Sequence, residues 1–429
     1  FKALIDSLEY KLFKEKAQEV LVKETSKLCL KLLSESKKRE EIYNMPFYKS
    51  QGTIPQKRHT VFSKNNSTGI YYEEHISREG FSNIYSNTYH IHMPTQLKKI
   101  SPMVPFINDV DTTDYRHRHI ETSNLENTGD ICSARTPLFY NDDVVISVAN
   151  ITQKADSFYK NAHYDELLYF QSGSAIFKSN FGSINLKKGD YLIIPRGVIW
   201  NISDFDKVKC LIVESKGMIR TPKRYRNRFG QLLEHSPFCE RDIHTPKLEE
   251  PIDQQGDFQI NVKYREGMQS YIYSNHPFDV VGWDGYYFPY KLNIADFEPV
   301  TGSIHQPPPV HQTFEGDGFV ICSFVERLFD YHPNAVPAPY PHSNVDSDEL
   351  IFYSKGNFMS RSGIKEESIT YHPMGLPHGP QPGKYESSIG MKKTDELAVM
   401  VDTFKTLKPT QNLLDYEDKD YYKSWIKQY

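Results

Sequence analysis

The sequence predicts a mainly β protein built around two duplicated β units, with a short helical extension at its N-terminal end. Three observations lead to this fold class. Short runs rich in Val, Ile, Tyr and Phe are closely punctuated by Gly, Pro and Asn, which is typical of strands in a sandwich or barrel. A segment that begins at residue 165 is repeated from residue 348, and residues 1–44 follow a helical pattern instead.

The helical extension comes first in the chain. Over residues 1–44, apolar side chains recur at helical spacing among lysines and glutamates, without a single glycine or proline. We predict one or two amphipathic helices here. They form an extension to the main fold, and we assign no chemistry to them.

Strand-like runs begin after Met45. Examples are DDVVISVAN at 142–150, DYLIIP at 190–195, GFVICSFV at 318–325 and LAVMVDTF at 397–404. Each run is short and bounded by turn-forming residues, as expected of neighbouring strands in an all-β fold. These runs carry the predicted β units.

The chain repeats itself within this β region. DELLYFQSG at 165–173 matches DELIFYSKG at 348–356, and IIPRGVIW at 193–200 matches YHPMGLPH at 371–378. Because the matching segments keep their order, two related β units are predicted. We place an N-terminal β domain at 45–281 and a C-terminal domain at 282–429.

Composition excludes several classes of protein. The formal net charge of -4 shows no basic excess, so binding to nucleic acid or to an anionic membrane is not expected. Although mean hydropathy is -0.60, the 29 Tyr and 25 Phe residues supply enough apolar area for a globular core. Five scattered cysteines and the lack of a long apolar run or signal-peptide pattern lead us to expect a cytoplasmic protein.

A metal site is predicted in the second unit. Mononuclear centres that activate O2 or hydrolyse bonds commonly use two imidazoles and one carboxylate on one face. His342, Glu349 and His378 can supply this set. In the first unit the position that matches His378 is Trp200, which cannot bind a metal, so we expect that unit to be structural.

The residues around this set resemble the two sequence motifs of the cupin superfamily, H-x-H-x4-E-x6-G and G-x5-P-x-G-x2-H-x3-N. The matching residues in the second unit are His342, Glu349, Gly356, Pro373, Gly375 and His378. Asn344 stands where a typical cupin has another His, and Glu367 where it has the leading Gly, so three ligands remain instead of four. The resemblance implies a double-stranded β-helix present twice, which is a bicupin.

Longer segments resemble the homogentisate 1,2-dioxygenase family, and its bacterial branch most. They are MPFYKSQGTIPQKRHTVF at 45–62, RYRNRFGQLLEHSPFCERDI at 224–243, GWDGYYFPYKLNI at 282–294, HQPPPVHQTFE at 305–315 and PYPHSNVDSDELIFY at 339–353. Eukaryotic members place the first His and the Glu one residue closer, which leaves Asp348 as an alternative ligand. Glu349 is favoured as the ligand because it aligns with Glu166 in the repeat and because six residues separate it from Gly356, as in the cupin motif.

This resemblance implies the cofactor and the reaction. The metal would be Fe2+, and the enzyme would convert homogentisate and O2 to maleylacetoacetate in tyrosine and phenylalanine catabolism. His305 would be the catalytic base, with His311 as the alternative, while Tyr340 and His372 would line the substrate pocket. The partners implied are a small aromatic acid, O2 and other copies of the chain in a homo-oligomer, of which a hexamer built from trimers is one form.

Two other functions fit the sequence. The same iron chemistry could act on another para-diol, such as gentisate or hydroquinone, because pocket residues are less diagnostic than ligands. A bicupin with a binding or storage role and no turnover is the alternative from another class.

Overall fold

The computed structural model describes residues 48–56, 62–64, 69–77, 85–92, 97–102, 104–105, 115–303, 306, 308–333, 335–339, 342, 344–356, 358–376 and 378–426. The predicted helical extension at 1–44 lies outside these residues. Within them strands predominate, which confirms the mainly β fold.

The N-terminal half contains strands β1 to β17. Their bounds are β1 Lys49–Gly52, β2 Tyr72–Ser77, β3 Tyr85–His90, β4 Leu97–Ile100, β5 Val104–Pro105, β6 Arg118–Glu121, β7 Arg135–Tyr140, β8 Val144–Ile151, β9 Phe158–Asn161, β10 Asp165–Ser179, β11 Gly182–Lys187, β12 Asp190–Ile194, β13 Trp200–Ser215, β14 Gln255–Lys263, β15 Gly267–Asn275, β16 Val280–Gly285 and β17 Tyr290–Asn293.

The C-terminal half contains strands β18 to β25 and two short α-helices. The strands are β18 Gln312–Gly316, β19 Phe319–Phe324, β20 Arg327–Leu328, β21 Asp348–Lys355, β22 Ser368–His372, β23 Lys393–Thr394, β24 Leu397–Thr403 and β25 Lys408–Pro409. The α-helices are α1 Lys384–Ser388 and α2 Gln411–Leu414. Single 3-10 turns occupy Thr122–Asn124, Lys223–Tyr225, Glu240–Asp242, Ile294–Asp296, Pro308–His311 and Tyr421–Lys423.

Two large sheets organise the strands. The larger contains β17-β12-β10-β13-β9-β14-β15-β4 in that order, with five further strands on its branches, and the smaller runs β18-β19-β24-β21-β22-β6. A four-stranded sheet, β1-β16-β3-β2, lies beside them. Strand β6 comes from the N-terminal half yet pairs with β22, and β25 from the C-terminal half pairs with β7. The two halves therefore exchange strands, and the division at 281/282 remains a prediction.

Strand pairing reproduces the sequence repeat. In β10, Glu166 lies opposite Ile194 on one side and Glu214 on the other. In β21, Glu349 lies opposite His372 and Asp402 in the same way. The two units thus place equivalent residues on equivalent strands, as a bicupin requires.

The hydrophobic core lies between the units as well as inside the first. Alternate residues of a strand face opposite sides, so Leu167 and Tyr169 of β10 belong to one cluster with Leu350 and Phe352 of β21. The Tyr169 hydroxyl and Ser354 Oγ, 2.8 Å apart, add a hydrogen bond across this contact. Residues on the opposite face of β21 are left to line the interior of the second unit.

No helix among the described residues has the length and apolar content that crossing a membrane would need.

Candidate metal centre

Local backbone pairing brings the predicted ligands together. His342 and His378 form an isolated antiparallel bridge, in which the His342 N–H donates to the His378 carbonyl at 2.7 Å and the His378 N–H donates back at 2.8 Å. Directly opposed residues in such a pair project their side chains to the same side. Glu349, near the start of β21, faces the same space.

The three side chains converge on one point. One ligand atom from each of His342, Glu349 and His378 can be chosen so that all lie within 4.8 Å of one another. Nε2 of His342 is 3.9 Å from Glu349 Oε2, and Nε2 of His378 is 3.4 Å from Glu349 Oε1. Two imidazole nitrogens and one carboxylate oxygen at these distances form a donor set suited to a divalent first-row metal ion.

An unsatisfied nitrogen supports this assignment. Nε2 of His378 is buried and has no well-aligned hydrogen bond among the described residues. Buried polar atoms are almost always paired, and a metal ion is one partner that would satisfy an imidazole nitrogen. The site therefore fits a bound cation.

His372 supports Glu349 from behind. Its Nδ1 lies 2.8 Å from Glu349 Oε1, and its ring stacks on that of His378 with centroids 4.5 Å apart. Burial, only partly offset by Glu349, lowers the pKa of His372 to about 3, so the ring is neutral. A neutral ring beside a carboxylate carries its proton on Nδ1, and this N–H donates a hydrogen bond to Glu349.

Glu349 is charged although it is buried. Desolvation alone would raise the pKa of its carboxyl, but the three surrounding imidazoles outweigh burial and hold that pKa well below its usual range. An ionised carboxylate is the form that binds a metal.

Asp348 faces away from the centre. Its oxygens accept hydrogen bonds from the Tyr371 hydroxyl at 2.8 Å and from the backbone N–H groups of Met374 and Leu407, each at 2.7 Å. These bonds fasten β21 to neighbouring segments. The geometry therefore favours Glu349 over Asp348 as the ligand.

The centre opens into a cavity of about 500 Å³. His342, Glu349 and His378 lie in its wall together with apolar residues such as Phe324, Ile351 and Met400. An apolar cavity with a few polar groups is typical of a small-molecule site.

The remaining predicted site residues have different outcomes. His305 and Tyr340 lie outside the described residues. His311, the alternative base, is buried, lines the cavity and packs on Phe324 with ring centroids 5.0 Å apart. His372 is completely buried behind Glu349 and is not part of the cavity wall, and its predicted contact with substrate remains a prediction.

The first unit has buried basic side chains at the equivalent position. Glu166 Oε1 lies 2.5 Å from Arg135 Nη1, and Glu214 Oε1 lies 2.7 Å from Lys263 Nζ, all deeply buried. Trp200 occupies the position of His378 and packs on Tyr159, with ring centroids 5.1 Å apart. Two buried basic side chains thus balance the charges of Glu166 and Glu214.

Sequence reasoning missed Asp402 and Arg361 in the wall of the cavity. Asp402 lies opposite Glu349 in the strand register, and its Oδ1 is buried without a partner among the described residues. Burial, together with the charge of Glu349, raises the pKa of Asp402 well above its usual range. The alternation in LAVMVDTF, aligned with the repeat, could have signalled the inward position of Asp402.

Comparisons with known proteins agree with the predicted family. The family model described as "Homogentisate 1,2-dioxygenase N-terminal" matches residues 79–294. A protein of Saccharolobus solfataricus named "Putative dioxygenase" is 43% identical over 385 residues, which cover 89% of this chain and 99% of that protein. Homogentisate 1,2-dioxygenase of Nitrobacter hamburgensis is 27% identical over 266 residues, covering 58% of this chain and 57% of that protein.

Among solved structures, a cupin 2 conserved barrel domain protein from Leptotrichia buccalis aligns with 70% of this chain and 100% of its own. The TM-score is 0.30 and the identity 8%. No conclusion about fold or function rests on a likeness of this size.

Proposed function

Because the chain belongs to the homogentisate 1,2-dioxygenase family, and is therefore a dioxygenase, we propose that it cleaves homogentisate with O2 to give maleylacetoacetate, using Fe2+ held by His342, Glu349 and His378. One observation carries the proposal. In the wall of a largely apolar cavity, two imidazoles and one carboxylate converge within 4.8 Å, and one imidazole nitrogen there is unsatisfied.

The three proposed ligands leave room for substrates. Two neutral imidazoles and one carboxylate would leave a ferrous ion with a net positive charge, and the ion would supply Lewis acidity toward a phenol and reactivity toward O2. Glu349 stays ionised inside the cavity because imidazoles surround it. Its negative charge would stabilise a divalent cation that has lost part of its hydration shell.

Other residues orient the ligands and exclude solvent. The Nδ1–H of His372 donates to Glu349 Oε1 and so fixes the rotation of the carboxylate, while its ring stacks on that of His378. Phe324, Ile351 and Met400 form an apolar wall against which an aromatic ring can pack. We assign the acceptance of the substrate hydroxyl proton to His305, on the family resemblance.

Oxygen uptake tests the substrate. Protein loaded with Fe2+ under anaerobic conditions and then mixed with air should consume O2 with homogentisate, and the ring-cleavage product should form in step. Gentisate and hydroquinone under the same conditions measure the alternative substrates. No uptake with homogentisate would contradict the proposed reaction, and uptake with gentisate or hydroquinone in its place would reassign the substrate.

A ligand variant tests the metal site. We expect H378A to lose stoichiometric iron while keeping the fold, because the imidazole it removes lines the cavity and the backbone bridge to His342 does not depend on the side chain. H235A, which alters an exposed histidine, is the matched control. Iron content by mass spectrometry and secondary structure by circular dichroism are the measurements, and unchanged iron in H378A would contradict the ligand assignment.

A further inference from the structure

The segment 416–426, which follows α2, is fastened to strand β6 of the N-terminal half. Glu417 forms an isolated antiparallel bridge with Ile120. The Arg118 Nη1 group donates to both carboxylate oxygens of Glu417 at 2.7 Å, and the Glu417 side chain is only 1% exposed. Because a buried, charge-assisted pair has a defined geometry, it fixes this segment on β6.

Strand β6 brings the segment next to the predicted metal ligands. It pairs antiparallel with β22, so His117, just before β6, comes to lie beside His372 at the end of β22. The His117 ring is 5.4 Å from the ring of His372 and 6.1 Å from that of His378, measured between centroids. Trp425 packs on His117 and His372, with centroids 5.0 Å and 6.2 Å apart. The Trp425 ring is therefore part of the aromatic packing around His378.

Trp425 also acts on the backbone that carries His378. Its Nε1–H donates to the carbonyl of Gly379, the next residue, at 3.0 Å. Arg361 Nη1 donates to the same carbonyl at 2.5 Å, and the Arg361 guanidinium lies over the Trp425 ring, 5.4 Å from its centroid. A carbonyl oxygen has two lone pairs, so both of its acceptor positions are used and the orientation of this peptide is fixed.

The loop after His378 depends on such side-chain bonds. Residues 379–383 form no strand or helix, so no hydrogen-bond ladder holds them. A second bond to the same segment joins Gln381 Nε2 to Ser424 Oγ at 2.8 Å. The bridge to His342 fixes His378 itself, while the segment 416–426 holds the residues that follow at two points.

We propose that Trp425 is a positioning residue of the metal centre. By holding the Gly379 carbonyl and packing on His117 and His372, it keeps the His378 imidazole in the orientation that binds the metal ion. None of residues 416–426 lines the cavity, so the effect reaches the metal through the ligands alone. The inference rests on the proposed role of His378 as a ligand, and it does not depend on which substrate is bound.

Metal affinity of the full chain is the first test, with Co2+ as the probe. Co2+ suits the same donors as Fe2+, and its visible absorption depends on the number and geometry of its ligands. W425F keeps an aromatic ring and removes the N–H that Gly379 accepts. We expect W425F to bind Co2+ about tenfold more weakly, with an altered visible spectrum, because the support of a ligand is lost. Competition with a chromophoric chelator measures the affinity.

The matched control is Y422F, which changes an aromatic side chain of the same segment that is 44% exposed. It should keep native affinity and the native spectrum. S424A removes the acceptor of Gln381 while leaving every ring in place, and it should weaken Co2+ binding in the same direction but less. Thermal unfolding of the metal-free variants measures stability separately. A lower melting temperature of W425F with native Co2+ affinity and spectrum would reduce Trp425 to a structural residue and overturn the proposal.

The outcomes separate this role from the proposed reaction. Unchanged Co2+ binding in W425F, with binding abolished in H378A, would overturn the role of Trp425 and leave the ligand assignment and the reaction standing. Weaker binding in W425F, without turnover of homogentisate by the Fe2+-loaded native protein, would support the role and overturn the reaction. No Co2+ binding by the native protein would overturn both the ligand assignment and the role of Trp425.

Discussion

At the scale of single residues, the position of His372 is the most consequential detail of the centre. The family resemblance places it in the substrate pocket, whereas the structure places it behind Glu349, wholly buried and hydrogen-bonded to Oε1 at 2.8 Å. A residue that orients a ligand and a residue that binds substrate affect different measurements. Metal affinity and KM can therefore distinguish them.

Substitution of His372 should weaken the metal site. We expect H372F to lower Fe2+ affinity about 10- to 100-fold, because Glu349 Oε1 loses its donor. H372N should lose less, since the asparagine amide can donate from nearly the same position as Nδ1. Competition with a chromophoric chelator measures the affinity.

The matched control is H244N, a change at an exposed histidine. If H372F keeps native metal affinity and raises only KM for homogentisate, His372 acts on the substrate as the family resemblance implies. The proposed role of His372 in orienting the Glu349 carboxylate would then be wrong.

At the scale of elements, the hairpin β2–β3 is fastened to the segment before β16 by a buried histidine. His90 Nδ1 lies 2.6 Å from Asp279 Oδ1, and Nε2 lies 3.0 Å from Glu74 Oε2. Burial alone would lower the pKa of His90, but the two carboxylates prevail and raise it to about 9. The imidazolium therefore joins two strands of the four-stranded sheet, β2 and β3, to the residue that precedes β16.

The stability of this element should depend on pH. A pKa that rises from 6.5 to about 9 on folding contributes stability that is complete below pH 6.5 and is lost as the pH rises through 9. The loss is at most about 3 kcal/mol, since one pKa unit corresponds to about 1.4 kcal/mol. Urea unfolding between pH 6 and pH 9.5 measures it.

H90Q is the control for this prediction because glutamine cannot be charged. Its free energy of unfolding should be lower near pH 6 and flatter across the range than that of the native protein. Parallel pH profiles for the two proteins would show that His90 does not cause the dependence.

At the scale of the whole molecule, the second unit has a candidate metal centre, and the first unit has buried basic side chains at the equivalent position. Arg135 contacts Glu166 at 2.5 Å and lies over the Tyr159 ring at 4.5 Å, inside the first unit. The apolar cluster between β10 and β21, and the strands that cross between the halves, link the two units. A substitution that destabilises the first unit should therefore destabilise the second unit as well.

Removal of Arg135 tests this link. We expect R135M to destabilise the chain by about 3 to 5 kcal/mol, because it leaves Glu166 buried without its cation. Unfolding followed by tryptophan fluorescence and by iron release should show one shared transition, shifted to lower urea concentration. R135M/E166Q should recover part of the loss, and R265M at the surface should show none.

Two separate transitions in R135M, with iron release unchanged, would mean that the units unfold independently. That result would contradict the cooperative role of the shared core.

Local patterns in the sequence were enough to predict the β class, the duplicated unit and the ligand types of His342, Glu349 and His378. Strand periodicity depends on neighbouring residues, and a duplication preserves motif order, so both are visible along the chain. The loss of a ligand at Trp200 was visible for the same reason. The helical extension at 1–44, His305 and Tyr340 remain predictions.

Only the tertiary structure decided the contacts that depend on register between distant strands. It set Asp402 opposite Glu349 and His372 behind that carboxylate. A shift of one residue in pairing would turn each of these side chains to the other face of its sheet. That register is fixed by packing across the whole molecule, such as the core shared by β10 and β21, and so cannot be read from any one segment.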